Sequence, residues 1–164
     1  MAGGPDMDRY AFRASVTGVS PVGLTPSGVR LDAQFAGRIT EGPLTGCTIE
    51  GIDYLLIRPD GVGVIDARAL VSDGNRVIAA VRAAGYVFPP SLVPDLAVLA
   101  DPAFQWPDED LPLHGAHFWE LADGGLSRAA STVYSFNGTL NVATGALEVS
   151  GHSLAVADRA MSVD

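Results

Sequence analysis

An apolar stretch of this sequence contains a charged pair, and acid–base chemistry is what such a pair could perform. Asp66 and Arg68 stand two residues apart in "GVGVIDARALV", among valine, isoleucine, alanine and leucine. In a β-strand, residues two apart project from the same face. A carboxylate in an apolar cavity can act as a general base, and a neighbouring arginine can stabilise charge that develops on a substrate oxygen. We therefore predict that Asp66 and Arg68 line a cavity.

The hairpins on either side of this strand decide which side chains join the pair. Strands are predicted over 52–58, 62–71 and 76–87, joined by the three-residue loops "PDG" and "DGN". In that register Tyr54 faces Asp66, and Asp66 faces Arg82. All of these side chains then share one face with Tyr86, and we predict that this face lies inside a barrel. A register change of one residue would disperse the cluster.

This register predicts the roles of two sets of residues. The catalytic set comprises a base and the arginines that hold an oxyanion: Asp66, Arg68 and Arg82, with Asp53 as the base if the register moves. The substrate-binding set comprises aromatic walls and hydrogen-bond donors: Tyr54, Tyr86, Tyr134, Trp106, Trp119 and Phe118. The alternative for the charged cluster is an Asp–Arg bridge that only fixes strand register. For the tryptophans and Phe118 the alternative is ordinary core packing.

The rest of the chain predicts the scaffold. Segments with a hydrophobic period of two recur along 9–157, separated by turns such as Asn137-Gly138 and by a Pro/Gly-rich connection at 19–28. They predict an all-β fold, an antiparallel barrel of eight or nine strands, in one domain over 9–158 between tails at 1–8 and 159–164. Residues 88–112 hold six prolines and predict a crossover with one short helix near 94–100. Whether this crossover is a lid over a cavity stays open.

Composition narrows the partners and the compartment. The 164 residues carry a formal net charge of −9, so an acidic surface argues against nucleic acid as a partner. No stretch approaches the ~20 apolar residues of a membrane span, and the beginning of the sequence shows no secretory signal. The single cysteine, Cys47, favours a reducing compartment, and we expect a cytoplasmic protein.

One spacing resembles a metal site. His114, His117 and Glu120 recur every three residues. On a strand, residues three apart project from opposite faces, so these side chains do not converge. We therefore predict no metal or other cofactor and interpret both histidines as surface or rim residues.

The segment "EGPLTGCTIEGIDYLLIRPDGVGVIDARALVSDG" resembles a family, the calycin-like barrels of domain of unknown function 3237. The match begins with a Glu-Gly pair, Glu41-Gly42, and a Gly-x-Asp-aromatic step, Gly51 with Asp53 and Tyr54. An Arg-Pro-Asp-Gly turn follows at Arg58–Gly61. The match ends with an Asp-x-Arg strand, Asp66 with Arg68, and an Asp-Gly turn, Asp73-Gly74. Tyr54 stands where the family pattern has tryptophan, and the insertion at 88–112 is longer than usual. The resemblance implies a small antiparallel barrel and no assigned reaction.

Two function hypotheses follow. The first is a cofactor-independent cyclase, isomerase or lyase that acts on a hydrophobic, oxygenated metabolite in a central cavity. The second is a non-catalytic binding or oligomerising barrel, for example a homodimer, in which the charged cluster is structural. A cavity of a few hundred Å³ reaching Asp66 would favour the first, and an interior packed with side chains would favour the second.

Overall fold

The computed structural model describes residues 8–122 and 131–154, which form a closed antiparallel barrel. Each strand pairs with the next along the chain, and the last pairs with the first. The strands are β1 (Arg9–Thr25), β2 (Gly28–Glu41), β3 (Thr48–Ile57), β4 (Gly63–Ser72), β5 (Val77–Val87), β6 (Leu111–Leu121), β7 (Ser131–Asn141) and β8 (Ala146–Ser153). The predicted all-β antiparallel barrel is confirmed.

Side-chain alternation separates the inside of the barrel from the outside. In β4 every second residue from Gly63 to Val71 is buried, and the residues between them are exposed or half-buried. The inner face supplies an apolar core that is rich in aromatic rings from β1, β6 and β7 and in alanines from β4 and β5. The barrel closes without an unpaired strand between β1 and β8, because Arg9–Ser15 pair with 146–152.

One of the two hairpin loops has the predicted form. Gly61 has φ +83°, and the amide of Gly61 donates to the carbonyl of Arg58 at 2.9 Å, so "PDG" is a turn with glycine in the left-handed region. The next loop was predicted with three residues and has four, 73–76, because Ser72 pairs with Val77; Gly74 in this loop has φ +97°.

Two predicted connections are strand instead. Residues 19–25 continue β1 and pair with β2 as far as Thr25 opposite Gly28, so the predicted connection 19–28 is the end of a long hairpin. Asn137-Gly138 lies inside β7, and the turn comes later, at 142–145. A Cβ on Gly138 would stand 2.0 Å from the carbonyl oxygen of Glu148, so the glycine serves close strand approach and not a turn.

The described residues form eight strands, which agrees with the predicted eight or nine. Some predicted features lie outside the described residues. These are the turn at 123–125, the beginning of a strand at 127, the end of the last strand at 155–157 and most of both tails.

The proline-rich crossover covers one end of the barrel. It contains the short helix α1 (Leu96–Leu99), as predicted near 94–100. Leu99 is buried against Val29 and Ile57 from the ends of β2 and β3, and Trp106 packs against the same cluster. We call residues 88–110 the cap. Within the described ranges, none of the helical structure has the length and apolar character that a membrane crossing requires.

Candidate active site

The predicted catalytic cluster lies on the outside of the barrel. Asp66, Arg68 and Arg82 are exposed, as are the predicted substrate-binding residues Tyr54, Tyr86 and Phe118. The prediction that these side chains project into the barrel is therefore wrong. The ion pairs recorded among the described residues do not join Asp66 to either arginine, so the predicted charge-paired spot is also absent there.

The prediction grouped these residues correctly on one face of the strands but assigned that face to the interior of the barrel. Leu56 pairs with Val64 as predicted. Across the next hairpin Arg68 pairs with Arg82, two residues away from the predicted register, because the loop is one residue longer than predicted and an irregularity between Val71 and Ser72 adds a second residue. A shift of two residues keeps every side chain on its face. The predicted set therefore does share one face, and this is the solvent face.

The interior holds a cavity of about 90 Å³ beside two ionisable side chains. Asp53 projects into it from β3 and His117 from β6, and the other lining residues are apolar. Alanines of β4 and β5, Ala67 and Ala83, form part of the wall and leave the space that larger side chains would fill. Asp53 was the predicted alternative base, and the structure places it, instead of Asp66, at the cavity.

Burial shapes the acidity of Asp53. Its Oδ1 accepts a hydrogen bond from the backbone amide of Asp66 at 3.0 Å. Loss of solvent raises the pKa of Asp53 from 3.8 to about 6, a larger effect than the lowering caused by the Asp66 amide. The charges of Asp66 and Asp32 add to the rise. At neutral pH most molecules therefore carry an ionised Asp53, which is still basic enough to accept a proton.

His117 is buried and neutral. Its Nδ1 lies within hydrogen-bond reach of the Tyr10 hydroxyl, and its ring stacks on Phe136 with centroids 4.1 Å apart and an angle of 23°. Burial lowers the pKa of His117 from 6.5 to about 3. Since Nδ1 is engaged with Tyr10, Nε2 is the ring nitrogen left for a ligand; when Tyr10 donates, Nε2 carries the proton.

Sequence reasoning treated His117 as a surface or rim histidine, and that interpretation is wrong. The signal lay in the alternation of β6: His117 follows Leu111 and Leu113 and precedes Trp119 on the buried face. His114 and Glu120 project outward, as their spacing predicted. Among the described residues, no group of three or more His, Cys, Asp or Glu side chains could hold a metal ion.

The remaining predicted binding residues lie at the two ends of the interior. Trp119 and Tyr134 are buried in the core and contact Tyr10, with ring centroids 6.0 Å apart from each other. Neither lines the cavity. Trp106 belongs to the cap and lines a small space of about 30 Å³ together with Leu55 and Leu140, which also line the cavity. A ligand that reaches Asp53 through this end of the barrel must therefore pass the cap.

A hydrogen-bonded contact holds the cap to the barrel. The side-chain amide of Asn141, at the end of β7, donates to Asp108 at 2.8 Å and to Asp110 at 3.1 Å. Asn141 is buried, and its Oδ1 accepts from the amide of Thr144 at 3.1 Å. This contact fixes the part of the cap that follows Trp106.

Comparisons with known proteins support the architecture. A conserved protein of unknown function from Rhodopseudomonas palustris superposes with a TM-score of 0.58 at 17% identity, over 92% of this chain and 99% of that one. A beta-barrel like protein from Acinetobacter baumannii gives 0.59 at 15% identity, over 93% and 98%. A protein with unknown function from Clostridium acetobutylicum gives 0.57 at 14% identity, over 93% and 100%.

No protein-family model matches the sequence, and no curated protein matches it. The likeness to the solved structures covers nearly the whole chain, at identities below one in five. It shows that this chain shares its fold with these three barrels.

Proposed function

We propose that the protein is a cofactor-independent enzyme that moves a proton on a small, hydrophobic carbonyl compound held in the barrel. One observation carries the proposal: among the described residues that line the interior cavity, Asp53 and His117 are the only ionisable ones, and burial shifts their pKa values in opposite directions. Such a pair matches a base and a neutral hydrogen-bond donor.

The proposed step needs only these two groups. Asp53 removes a proton from the carbon next to the carbonyl, and the C–H electron pair moves to form an enolate. Nε2–H of His117 donates a hydrogen bond to the enolate oxygen, while Tyr10 holds the ring through Nδ1. In a β,γ-unsaturated ketone this enolate is conjugated with the double bond, so the protonated Asp53 returns the proton to the γ-carbon and the double bond moves next to the carbonyl. If the enolate instead expels a leaving group or closes a ring, the same pair performs a lyase or cyclase reaction.

The dimensions of the cavity restrict the ligand. Ligand pockets usually have volumes of 300–1,000 Å³, and this cavity has about 90 Å³. The ligand is therefore small, or its far end occupies the space that the cap fills in this structure. The apolar lining favours an uncharged compound.

A second candidate function is a barrel without catalysis, in which Asp53 and His117 are structural. The observation that favours it is the filled interior: large aromatic rings occupy most of the barrel, and the cavity does not reach the few hundred Å³ expected of a metabolite site. The resemblance to domain of unknown function 3237 is compatible with both candidates, because that family has no assigned reaction.

Deuterium exchange distinguishes the two candidates. The protein is incubated in D₂O with a panel of small neutral ketones and β,γ-unsaturated ketones, and proton NMR follows exchange at the α-carbon. For at least one compound we expect catalysed exchange whose kcat/KM rises with pH through about 6, where Asp53 ionises. Asp53→Asn should lower the rate by about 10²–10⁴, the usual contribution of a general base.

Asp66→Asn is the matched control, because it removes a carboxylate of the same hairpin that faces solvent. Above pH 7, where Asp53 is ionised with or without the charge of Asp66, the exchange rate of this variant should equal that of the wild type. Exchange that survives in Asp53→Asn would refute the assignment of the base. A panel in which no compound exchanges faster with the wild type than with Asp53→Asn would leave the non-catalytic barrel as the function.

A further inference from the structure

The outer surface of β3–β6 differs from the outer surface of the rest of the barrel. On β7, β8 and the first half of β1 the outward residues are mostly small or polar, with paired charges such as Arg13 with Glu148 at 3.2 Å, and the end of β1 exposes Val19, Val22 and Leu24. On β3–β6 arginine, acidic, aromatic and aliphatic side chains are combined in a set that we call the outer arginine face: Glu50, Ile52, Tyr54, Asp66, Arg68, Leu70, Ala80, Arg82 and Phe118. Tyr54, Leu70 and Phe118 are each more than a third exposed.

This composition is that of a protein interface. Tyrosine, phenylalanine and arginine are enriched at interface centres, whereas lysine and serine are depleted. An open groove of about 530 Å³ lies on the face, with Tyr54, Arg68 and Leu70 on one side and Thr17 and Gln34 on the other. The exposed side chains of Tyr54, Leu70 and Phe118 are the apolar groups of this face that a partner would cover.

The charges of the outer arginine face lack partners within the described part of the chain. Arg68 and Arg82 are direct cross-strand neighbours, and like charges in that position repel each other. Four other arginines pair with carboxylates. Arg82 lies over the ring of Phe118 at 5.6 Å, and no recorded ion pair involves Arg68, Arg82, Glu50 or Asp66.

We propose that the outer arginine face binds the same face of a second copy of this chain. A two-fold contact brings each surface patch onto itself. The two arginines of one copy then meet Glu50 and Asp66 of the other. The same two-fold contact therefore pairs the arginines and the carboxylates of both copies. Phe118, on the side of β6, enters the groove bordered by Tyr54 and Leu70 in the other copy.

The charge pattern favours a second copy over other occupants. A nucleic acid or an anionic membrane would have to approach a chain of net charge −9 and would place its phosphates against Glu50 and Asp66. A strand-pairing partner has no access here, because β3–β6 are paired on both edges.

A charge-swap experiment tests the contact without knowledge of its register. Sedimentation velocity on the wild type should show a species of about twice the 17.0 kDa of one chain. Arg68→Glu with Arg82→Glu reverses the two basic residues of the face, and Glu50→Arg with Asp66→Arg reverses two of its acidic residues. Each double variant alone should be monomeric, with a dissociation constant raised by more than about a hundredfold, because like charges across an interface repel. An equimolar mixture of the two should form a 1:1 heterodimer.

Arg13→Glu is the control, because it reverses an arginine on the opposite side of the barrel and should leave the dimer intact. Circular dichroism establishes that each variant is folded. A wild type that remains monomeric at millimolar concentration would overturn the proposal. So would double variants that dimerise alone, or two folded monomeric variants that fail to bind each other. These outcomes are independent of the α-proton exchange that tests the proposed function.

Discussion

The ionisation of Asp53 inside the barrel should make the folded state weaker as the pH rises, and Asp53→Asn should remove this effect. Burial raises the pKa of Asp53 from 3.8 to about 6. Between these two pH values the unfolded chain has lost the proton and the folded chain still holds it. The folded state therefore binds more protons, so its stability falls with increasing pH. The favourable contribution of the neutral carboxyl is complete below pH 3.8 and is lost as the pH passes 6.

The shift sets the magnitude of the effect. A rise from 3.8 to about 6 is roughly two units, and each unit corresponds to about 1.4 kcal/mol. The ionised Asp53 thus costs about 3 kcal/mol of the free energy of unfolding above pH 7. Asparagine keeps an oxygen that can accept the hydrogen bond from the Asp66 amide. We therefore expect Asp53→Asn to be about 3 kcal/mol more stable than the wild type at pH 7.5, and nearly equal to it at pH 4.

His117 opposes Asp53 in the wild type. Its pKa falls from 6.5 to about 3 in the fold, so the unfolded chain binds the extra proton between these values and stability rises with pH. The two effects oppose each other between pH 4 and 6. In Asp53→Asn only the effect of His117 remains, and stability should increase steadily up to about pH 6.5.

Urea unfolding of the wild type, Asp53→Asn and the control Asp66→Asn at several pH values between 4 and 8 measures these differences. For a chain of this length, 3 kcal/mol corresponds to a Tm difference of roughly 6–12 °C. A difference between Asp53→Asn and the wild type that does not change with pH would refute the raised pKa. So would a wild type that is the more stable protein at pH 7.5.

Three further substitutions test the surroundings of the site. Tyr10→Phe should cost about 1–3 kcal/mol in urea unfolding, because it leaves Nδ1 of buried His117 without its partner, and His117→Phe in the same background should recover part of that loss. Asn141→Ala removes both hydrogen bonds to the cap, so hydrogen exchange at 88–110 should accelerate while the barrel amides keep their protection. Gly138→Ala should destabilise by more than about 2 kcal/mol, since its Cβ meets a backbone oxygen at 2.0 Å, and unchanged urea midpoints would contradict the close strand approach.

The sequence predicted the barrel because its local signals agree. Alternating apolar residues and glycine turns such as Pro59-Asp60-Gly61 give strands whose neighbours in sequence pair in space. The two connections that were predicted wrongly have turn-like composition inside strands. Gly138 is needed for close packing, and the proline and glycines of 18–25 lie in the bulged part of β1. Single-sequence propensity does not distinguish these uses of glycine.

The choice of the inner face could have been made from the sequence. The face of β4 opposite Asp66 and Arg68 holds glycine, alanine, valine and isoleucine only, and a face without charges is the cheaper one to bury. The common position of Asp53 and His117 at one cavity could not have been predicted from the sequence. These residues lie on β3 and β6, and only closure of the barrel places both at one cavity.

Both proposals depend on one asymmetry of β4 and β5. Their inward positions carry small side chains, such as Ala67 and Ala83, whereas their outward positions carry large ones, such as Arg68, Leu70 and Arg82. The small inward residues leave part of the interior unfilled, and Ala67 and Ala83 line the cavity together with residues of the other strands. The large outward residues expose apolar area and charge that the folding of β4 and β5 does not require. Core packing alone would favour large side chains at the inward positions and small ones at the outward positions. The opposite distribution in β4 and β5 therefore links the interior site to the outer contact.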